Sequence, residues 1–360
     1  MGSPAQTVVD LLTELVALRP VTAEVDRVNA AVHRLREFLD AAGVHTREYT
    51  LQDRRILYAA TAETDEVDYL LNVHLDVVPA EDAMFTVTSR DGWLHGRGTA
   101  DCLGNSCLVA ALLASLRGRA SVGAIFSTDE ETGGTTTAYM AGQPIRARRL
   151  IAVLDGAGNA VTIAQKGVLT LQLCASGQAC HSAEPWEGVN ALDRLIDGYA
   201  AIRDLFPQAT ADDPWHPTLT ATRCSAGTVS NRVPDSAEMT VNIRYVDPGA
   251  RNTIIETIQQ KSGLEVEVLM QCPPVSVDPE TPVIAELRSH LEQHLGVAVP
   301  FERLNGATDA RHFAGHNAPV VILGLPGTGP HSSHEALEIA GIEPLFNALA
   351  DFLNRRSPRR

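Results

Sequence analysis

No apolar run in the sequence approaches membrane-spanning length, which for a helix is roughly 20 residues. The opening residues, MGSPAQTVVDLL, contain no basic stretch followed by an apolar core and a small-residue cleavage site, so a secretory signal is not indicated. Basic residues are scarce, 29 against 44 acidic ones, and the formal net charge is -15. This charge argues against a nucleic acid or an anionic membrane as the main partner. We expect a cytoplasmic enzyme with neither of these partners.

Two common cofactor-binding motifs are also missing. The six cysteines do not form the closely paired spacing of a zinc knuckle, and buried, reduced thiols are the expected state. The segment HGRGTADCLGN is rich in glycine, but it has no third glycine at the dinucleotide spacing and no Gly-Lys-Ser/Thr sequence. Both phosphate-binding motifs are therefore disfavoured, and a nucleotide-dependent oxidoreductase is a poor hypothesis.

The first half of the chain has the pattern of a layered α/β domain. An amphipathic helix is predicted around Val28, Val32 and Leu35, with Gly43 as its C-terminal cap. The apolar runs YLLNVHL, VGAIFST and LIAVLD are each followed by a loop rich in Gly, Asp or Glu. Such runs are typical of buried strands in a mostly parallel sheet, and 106–116 is predicted to be a crossover helix.

A second pattern begins near Leu169, where LTLQLCA and AEMTVNIRYV alternate apolar and polar residues. Strict alternation predicts strands with one polar face. Further helices are predicted at 190–206 and 249–262, and strands at 218–224 and 264–270. The resulting order, βαββαβ, is that of a ferredoxin-like module.

The remaining segments return to the first pattern, with PVVILG as a buried strand and a closing helix at about 340–354. We therefore predict an α/β protein in which a large, mostly parallel-sheet domain is formed by 1–167 and 277–360. The ferredoxin-like module, 168–276, is inserted into it.

Histidines and carboxylates follow the predicted strands at their carboxyl ends, where ligands of open α/β sheets bind. Each has an ordinary interpretation by itself, as a structural histidine, a helix cap or a solvated acidic loop. Their coincidence at one sheet edge favours a metal site, and mixed imidazole and carboxylate ligands suit zinc, manganese or cobalt. A shared carboxylate could bridge two ions roughly 3.5 to 4 Å apart. The residues are His74, Asp76, Asp101, Asp129, Glu130, Glu131, Asp155 and His331.

Six motifs occur in the order and approximate spacing of the M20 metallopeptidases, a family of aminoacylases, acetylornithine and succinyl-diaminopimelate deacylases, dipeptidases and glutamate carboxypeptidases. The chain resembles this family over essentially its whole length. The resemblance implies a di-metal hydrolase whose inserted module serves as a lid and dimerisation domain. The motifs are HLDVVP, GRGTAD, STDEETGG, LDGAG, GQACHSAEPWEGVNAL and GPHSSHE.

The resemblance also implies a set of metal ligands. His74 and Asp155 would hold one divalent ion, Glu131 and His331 would hold the other, and Asp101 would bridge them. Zinc is the expected metal, with cobalt or manganese as alternatives. His334 is a further candidate, but the spacing from His331 to a glutamate four residues later matches the family ligand.

Catalytic roles follow from the same resemblance. Glu130 matches the general base that takes a proton from the metal-bridging water and returns it to the leaving amine. Asp76 matches the residue that orients the ring of His74. His181 matches a histidine of the small domain that hydrogen-bonds the scissile carbonyl, often across a dimer.

Four residues match substrate-binding positions of the family. Asn231 and Arg244 correspond to residues that bind the free carboxylate of the substrate, a role that suits the two-pronged guanidinium group. Gly306 and Thr308, in NGATDARHF, correspond to backbone or hydroxyl contacts. The resemblance thus implies a small-molecule substrate with a free carboxylate and a homodimer formed through the lid domain.

The sequence departs from the family after Asp101, where relatives have Met, Lys and two glycines. Here the segment is Cys102-Leu103-Gly104-Asn105, so the usual lysine is absent. We expect Cys102 to replace methionine as a buried side chain and not to act as a nucleophile, because a metal can activate water without a thiol.

The leading functional hypothesis is hydrolysis of an amide bond in a small N-acyl amino acid or dipeptide. The alternatives are a diverged non-hydrolytic or biosynthetic member of the same fold, or a metal-dependent binding module. Glu130 and all the ligands are present, which favours the hydrolase.

Overall fold

A computed structural model describes residues 2–156, 158–206 and 209–354 of the chain. The chain divides into two compact units. The first comprises the described residues of Met1–Ala164, Ser276–Arg303 and Thr308–Arg360, and the second comprises those of Gln165–Val275 and Leu304–Ala307. The short segment Leu304–Ala307 therefore belongs with the inserted module, whereas the sequence analysis grouped it with the large domain.

Helices begin and end close to the positions that the sequence pattern indicates. Ser3 caps the first helix by accepting a hydrogen bond from the backbone of Gln6 at 3.2 Å, and Gly43 follows the second helix with φ 72°, a conformation that glycine adopts without strain. No helix among the described residues is both long and apolar enough to cross a membrane. The α-helices in the described part of the chain are α1 (Pro4–Ala17), α2 (Val25–Ala41), α3 (Leu103–Leu116), α4 (Thr135–Ala141), α5 (Ala191–Arg203), α6 (Ala250–Ser262), α7 (Pro282–Leu295) and α8 (Ile342–Leu353).

The strands of the described residues form three sheets. The largest has the order β1-β2-β6-β3-β7-β15-β8-β13, with β14 also paired to β8, and the others have the orders β10-β11-β9-β12 and β16-β17-β5-β4. The strands are β1 (His45–Leu51), β2 (Arg54–Ala60), β3 (Glu66–His74), β4 (Thr88–Arg90), β5 (Trp93–His95), β6 (Val122–Ser127), β7 (Arg146–Val153), β8 (Val161–Gln165), β9 (Gly167–Ser176), β10 (Thr218–Ala226), β11 (Ser236–Tyr245), β12 (Glu265–Cys272), β13 (Val275–Ser276), β14 (Phe301–Leu304), β15 (Val320–Ile322), β16 (Gly327–Thr328) and β17 (Ala336–Glu338).

The large sheet is mixed, so the predicted mostly parallel sheet needs correction. Strands β6, β3, β7 and β15 are parallel to their neighbours in this group. In contrast, β1 pairs antiparallel with β2, β2 with β6, and β15 with β8. The central strands carry the continuous apolar runs of a fully buried parallel sheet, and β6 is buried along its whole length. The flanking strand β2 also has a buried apolar run, over 56–60, so such a run does not by itself give the direction of a strand.

The second unit has the order strand, helix, strand, strand, helix, strand, from β9 through α5, β10, β11 and α6 to β12. All three strand pairs of its sheet are antiparallel. Burial alternates along β9 and β11, and their apolar side chains form a separate core that includes Leu171, Val241 and Ile258 of α6. The alternation explains why one face of this sheet is apolar and the other polar.

Candidate functional site

The central parallel strands bring three loops to one edge of the large sheet. Strand β3 ends at His74, β6 ends shortly before Glu130, and β7 ends two residues before Asp155. Because β3 is paired in parallel with both β6 and β7, the residues that follow these strands emerge side by side. This topology assembles most of the residues that the sequence identified.

The first group of donor atoms surrounds His74, whose side chain is buried. Its Nε2 atom lies 3.1 Å from Oδ1 of Asp101 and 3.5 Å from Oδ1 of Asp155. Burial lowers the pKa of His74, but the acidic groups around it, Cys102 first among them, outweigh burial and raise this pKa well above its usual range. Burial raises the pKa of Asp155 to about 6.

The second group surrounds His331. Its Nε2 atom lies 3.1 Å from Oδ2 of Asp101 and 3.0 Å from Oε2 of Glu131. Asp101 thus directs one carboxylate oxygen to each histidine. Burial opposes ionisation of Asp101, yet hydrogen bonds from His331 and His74 lower its pKa.

The chemistry of these donors fits a pair of divalent cations. Oε1 of Glu131 is buried and has no hydrogen-bond partner, and burial raises the pKa of Glu131 to about 7. Buried carboxylates that lack partners are costly, and a bound cation removes that cost by neutralising them. His74 and Asp155 could hold one ion and Glu131 and His331 the other, with Asp101 shared.

His334 does not join either group. Among the described residues, the clusters with metal-ligand spacing contain His331 and not His334. The backbone N–H of His334 instead donates to Oγ of Ser332 at 3.2 Å. His331, and not His334, therefore lies beside Asp101 and Glu131.

Asp76 connects the two groups. It is fully buried, and its Oδ1 lies 3.4 Å from Nδ1 of His74. The same carboxylate accepts hydrogen bonds from the backbone N–H groups of Glu130 and Glu131, at 3.1 and 3.3 Å, and from the hydroxyl of Thr22 at 2.8 Å. Sequence reasoning assigned it only to the His74 ring, whereas the structure shows that it also holds the turn that carries Glu130 and Glu131.

The three adjacent carboxylates after β6 have separate environments. Asp129 accepts hydrogen bonds from the backbone N–H groups of Thr135 and Thr136, each at 2.9 Å, and from both of their hydroxyls. It therefore caps the start of α4, which leaves Glu130 and Glu131 to face the site. Because Asp129 is bonded to α4 and does not face the site, the repulsion among the three carboxylates is reduced.

Glu130 is positioned beside a buried arginine. Nη1 of Arg311 lies 3.5 Å from its Oε1, and Arg311 is only 7% exposed. Burial, followed by the charge of Asp155, raises the pKa of Glu130 to about 9, although the charges of His74 and Arg311 oppose this shift. A carboxylate in such surroundings can hold a proton at neutral pH, which suits a group that accepts and then donates one.

Asp309 anchors the segment that carries Arg311. Its Oδ2 accepts hydrogen bonds from the hydroxyls of Ser127, at 2.9 Å, and Thr137, and Nη2 of Arg311 lies 3.8 Å from its Oδ1. Sequence reasoning selected Gly306 and Thr308 in this segment and missed both charged residues. The sequence feature that could have indicated them is the pair of opposite charges, Asp309 and Arg311, close to the apolar Phe313.

An ion pair between Arg97 and Glu335 was also missed. Nη1 of Arg97 lies 2.5 Å from Oε2 of Glu335, and both side chains are buried. Oε1 of Glu335 accepts hydrogen bonds from the backbone N–H groups of Ala100, at 3.0 Å, and Asp101, at 3.1 Å. The pairing of β5 with β17 brings these two segments together, and Glu335 thereby fixes the backbone that carries Asp101.

The unusual segment after Asp101 begins α3 and is entirely buried. A Cβ atom on Gly104 would lie 2.3 Å from the carbonyl oxygen of Thr99, so only glycine permits this approach. Oδ1 of Asn105 accepts a hydrogen bond from the backbone N–H of Leu325 at 2.8 Å. The segment therefore joins the start of the helix to two neighbouring loops.

The predicted substrate-binding residues lie mainly in the second unit. His181 is exposed, and its Nδ1 accepts a hydrogen bond from the backbone N–H of Ala183 at 3.1 Å. The backbone N–H of Ser182 donates to the carbonyl oxygen of Asn231 at 3.0 Å, which brings the loops of His181 and Asn231 together. Arg244 lies on the partly polar face of β11, where its Nε donates to Oδ1 of Asn242 at 3.1 Å.

Gly306 and Thr308 lie in different units. Gly306 is exposed, and a Cβ atom there would approach only the side chain of Leu304, at 3.8 Å. The fold therefore does not require glycine at this position. Thr308 is buried, and its hydroxyl accepts a hydrogen bond from the backbone N–H of Ala310 at 3.2 Å.

The fold is similar to those of solved structures. Aminopeptidase PepT from Bacillus cereus matches with a TM-score of 0.79 at 18% identity, covering 97% of this chain and 98% of that one. A protein described as a dinuclear metal binding peptidase from the M20 family, YXEP from Bacillus subtilis, matches with a TM-score of 0.70 at 16% identity, covering 98% of each chain. At these identities the likeness concerns the fold, a mixed α/β architecture with a large mixed sheet.

Sequence comparison identifies the family. A succinyl-diaminopimelate desuccinylase from Cereibacter sphaeroides is 30% identical over 312 residues, 76% of this chain and 79% of that protein. Succinyl-diaminopimelate desuccinylase 2 from Ruegeria sp. is 26% identical over 373 residues, 94% of this chain and 92% of that one. The model of peptidase family M20/M25/M40 matches residues 70–355. The chain therefore belongs to peptidase family M20/M25/M40.

Proposed function

We propose that the protein hydrolyses an amide bond in a small N-acyl amino acid or dipeptide and requires two divalent metal ions. Zinc is the proposed metal, with cobalt and manganese as alternatives. The observation that carries the proposal is the carboxylate of Asp101, which directs one oxygen to His74 and the other to His331. A shared carboxylate between two mixed donor groups is the arrangement that two-metal hydrolysis needs.

Divalent ions bound there supply Lewis acidity toward the substrate carbonyl and lower the pKa of water. Glu130 then acts as the general base: its carboxylate accepts one proton from the attacking water while the new carbon–oxygen bond forms. As the carbon–nitrogen bond breaks, Glu130 returns that proton to the leaving amine. The buried position of Glu130 supports this shuttle because burial raises the proton affinity of its carboxylate.

His181 is proposed to stabilise the developing oxyanion of the substrate carbonyl. Its Nδ1 accepts a hydrogen bond from the backbone of Ala183, so in the neutral ring the proton lies on Nε2. That N–H is the donor that an oxyanion requires. The exposure of His181 leaves the donor accessible to a substrate.

Arg244 and Asn231 are proposed to bind the free carboxylate of the substrate, and Gly306 and Thr308 to contribute further contacts. A guanidinium group binds a carboxylate through two parallel hydrogen bonds. Each of these assignments follows the family positions quoted above.

The inserted module, 168–276, is proposed to serve as a lid and to form a homodimer in the cytoplasm, with 1–167 and 277–360 as the catalytic domain. Strand β12 lies at the edge of its sheet, and it exposes three consecutive apolar side chains, Val268, Leu269 and Met270. An exposed apolar edge strand favours pairing with another chain, which supports a dimer.

Deacylation is the preferred reaction within this proposal. The sequence relatives quoted above are named desuccinylases, whereas peptidases appear among the structural matches at lower identity. We therefore place an N-acyl amino acid with a free carboxylate before a dipeptide as the substrate.

The test is metal-dependent release of an amine. The purified protein is stripped with a chelator, reloaded with zinc, cobalt or manganese, and assayed against N-succinyl, N-acetyl and N-carbamoyl amino acids and dipeptides. We expect about two bound ions per chain, as a two-metal site requires, and turnover of one substrate group. Bound metal without turnover of any compound would contradict the hydrolytic assignment, and failure to bind metal would contradict the site.

A further inference from the structure

A thiol belongs to the first group of donor atoms. Among the described residues, one donor atom each of His74, Cys102 and Asp155 lies within 4.8 Å of the other two. Cys102 directly follows the shared carboxylate Asp101 in the chain, and its side chain is completely buried. No motif quoted above assigns it a role in metal binding.

The spacing of these atoms suits ligands of one ion. Zinc–sulfur and zinc–nitrogen bonds of roughly 2.3 and 2.0 Å at a tetrahedral angle separate the two ligand atoms by roughly 3.5 Å. Small side-chain adjustments bring atoms within 4.8 Å to that separation. Because Oδ1 of Asp101 already lies 3.1 Å from Nε2 of His74, the group offers four protein donors, and the attacking water would take a fifth position on an ion held there.

The alternative is a purely structural thiol. Sγ of Cys102 donates a hydrogen bond to the carbonyl oxygen of Leu154 at 3.0 Å, and burial raises the pKa of this thiol to about 12. Both facts describe the protonated side chain. A divalent cation deprotonates a thiol that coordinates it, so neither fact opposes ligation once an ion is bound.

We propose that Cys102 is a thiolate ligand of the ion held by His74 and Asp155. The inference rests on the metal centre of the proposed function. As the sulfur–metal bond forms, the thiol proton passes to solvent, and the carbonyl oxygen of Leu154 loses its donor. Cys107 provides the internal contrast, because it is equally buried on α3 but belongs to neither donor cluster.

This assignment makes the two metal positions chemically different. The position at His74 gains a soft sulfur donor, while the position at Glu131 and His331 has only nitrogen and oxygen donors. Soft thiolate ligands select zinc, and carboxylate-rich sites accept manganese. We therefore expect the thiolate position to retain zinc when the protein is exposed to manganese in excess, and the other position to exchange.

Cobalt substitution tests the proposal. The full-length protein is loaded with cobalt(II), bound metal is counted, and the near-ultraviolet spectrum is searched for sulfur-to-cobalt charge transfer. We expect this absorption in the unsubstituted protein and in the Cys107→Ala and Cys224→Ser controls, and its loss in Cys102→Ala. The Cys224→Ser control matters because Cys224 is exposed and could bind cobalt incidentally.

The outcomes separate this inference from the proposed function. Cobalt bound without charge-transfer absorption in the unsubstituted protein overturns the thiolate assignment and leaves the metal centre intact. Absorption that persists in Cys102→Ala also overturns it, whereas no bound cobalt at all overturns the metal centre. X-ray absorption of the zinc form, which needs no variant, should show a sulfur neighbour at roughly 2.3 Å, and a shell of nitrogen and oxygen alone contradicts the proposal.

Discussion

Arg97 and Glu335 form a buried ion pair although 238 residues separate them in the chain. The free carboxylate oxygen of Glu335 holds the backbone of Asp101, and Nη2 of Arg97 donates to the carbonyl oxygen of Ser332 at 3.3 Å, next to His331. The pair therefore joins the backbone of Asp101 to the segment that carries His331.

We predict that Glu335→Ala lowers the free energy of unfolding by about 3 to 5 kcal/mol, because it leaves the charge of Arg97 buried without an opposite charge. The double variant with Arg97→Met should recover part of this loss. Urea denaturation of the four proteins in the cycle measures both effects. An unchanged midpoint in Glu335→Ala would contradict the role of the pair.

Asp76→Asn should weaken metal binding by roughly 10- to 100-fold, the usual effect of removing a residue that orients a ligand histidine. The change removes the negative charge that faces His74 and puts an N–H donor near the backbone donors of Glu130 and Glu131. Competition with a chromophoric chelator measures the affinity. The exposed Asp53→Asn is the matched control, and equal affinities in the two variants would show that Asp76 has no such role.

Arg311→Met should lower kcat by roughly 10- to 100-fold. This loss should not exceed the loss expected when the general base itself is removed. The substitution keeps the length of the side chain but removes the charge that lies beside Glu130. Steady-state amine release measures kcat and KM separately, and Arg311→Lys should retain part of kcat. The exposed Arg90→Met serves as control, and a wild-type kcat in Arg311→Met would refute the positioning of Glu130 by Arg311.

Metal affinity should rise with pH. Burial raises the pKa of Asp155 to about 6 and that of Glu131 to about 7, and a hydrogen bond to Asp101 raises the pKa of His331 to about 9. Each group must lose its proton to bind a cation, so protons compete with the metal below these values. The apparent Kd should therefore fall as the pH rises through these three values.

Calorimetry in two buffers of different ionisation enthalpy measures the protons released on binding. In Glu131→Gln the part of the pH dependence near 7 should disappear, since the amide carries no titrating proton. A Kd that does not change with pH, together with no proton release, would contradict the proposed ligand set.

The central strands of the fold and the proximity of the candidate ligands were predictable for a physical reason. Parallel strands are buried on both faces and read as continuous apolar runs, so His74 and Asp155 could be placed at adjacent strand ends. The antiparallel strand β2 also carries a buried apolar run, over 56–60, so such a run does not by itself give a strand's direction, and the direction of β1 and β2 was not inferred.

The supporting contacts were harder to predict because they depend on the folded chain. Asp129 and Glu131 belong to the same acidic run, yet one caps a helix and the other faces a histidine. Composition cannot separate these roles, since both need a carboxylate. The pair of Arg97 and Glu335 and the approach of Arg311 to Glu130 likewise join segments that are distant in sequence, and local patterns carry no information about them.

The most direct measurement of the central claim is amine release by Glu130→Ala under conditions where its metal content is known. The alanine removes the proton acceptor but none of the proposed ligands, so the account predicts about two bound ions and a loss of roughly 10²- to 10⁴-fold in kcat. The exposed Glu63→Gln should match the unsubstituted protein. A Glu130→Ala protein that binds its metals and turns over substrate at the unsubstituted rate would contradict the account.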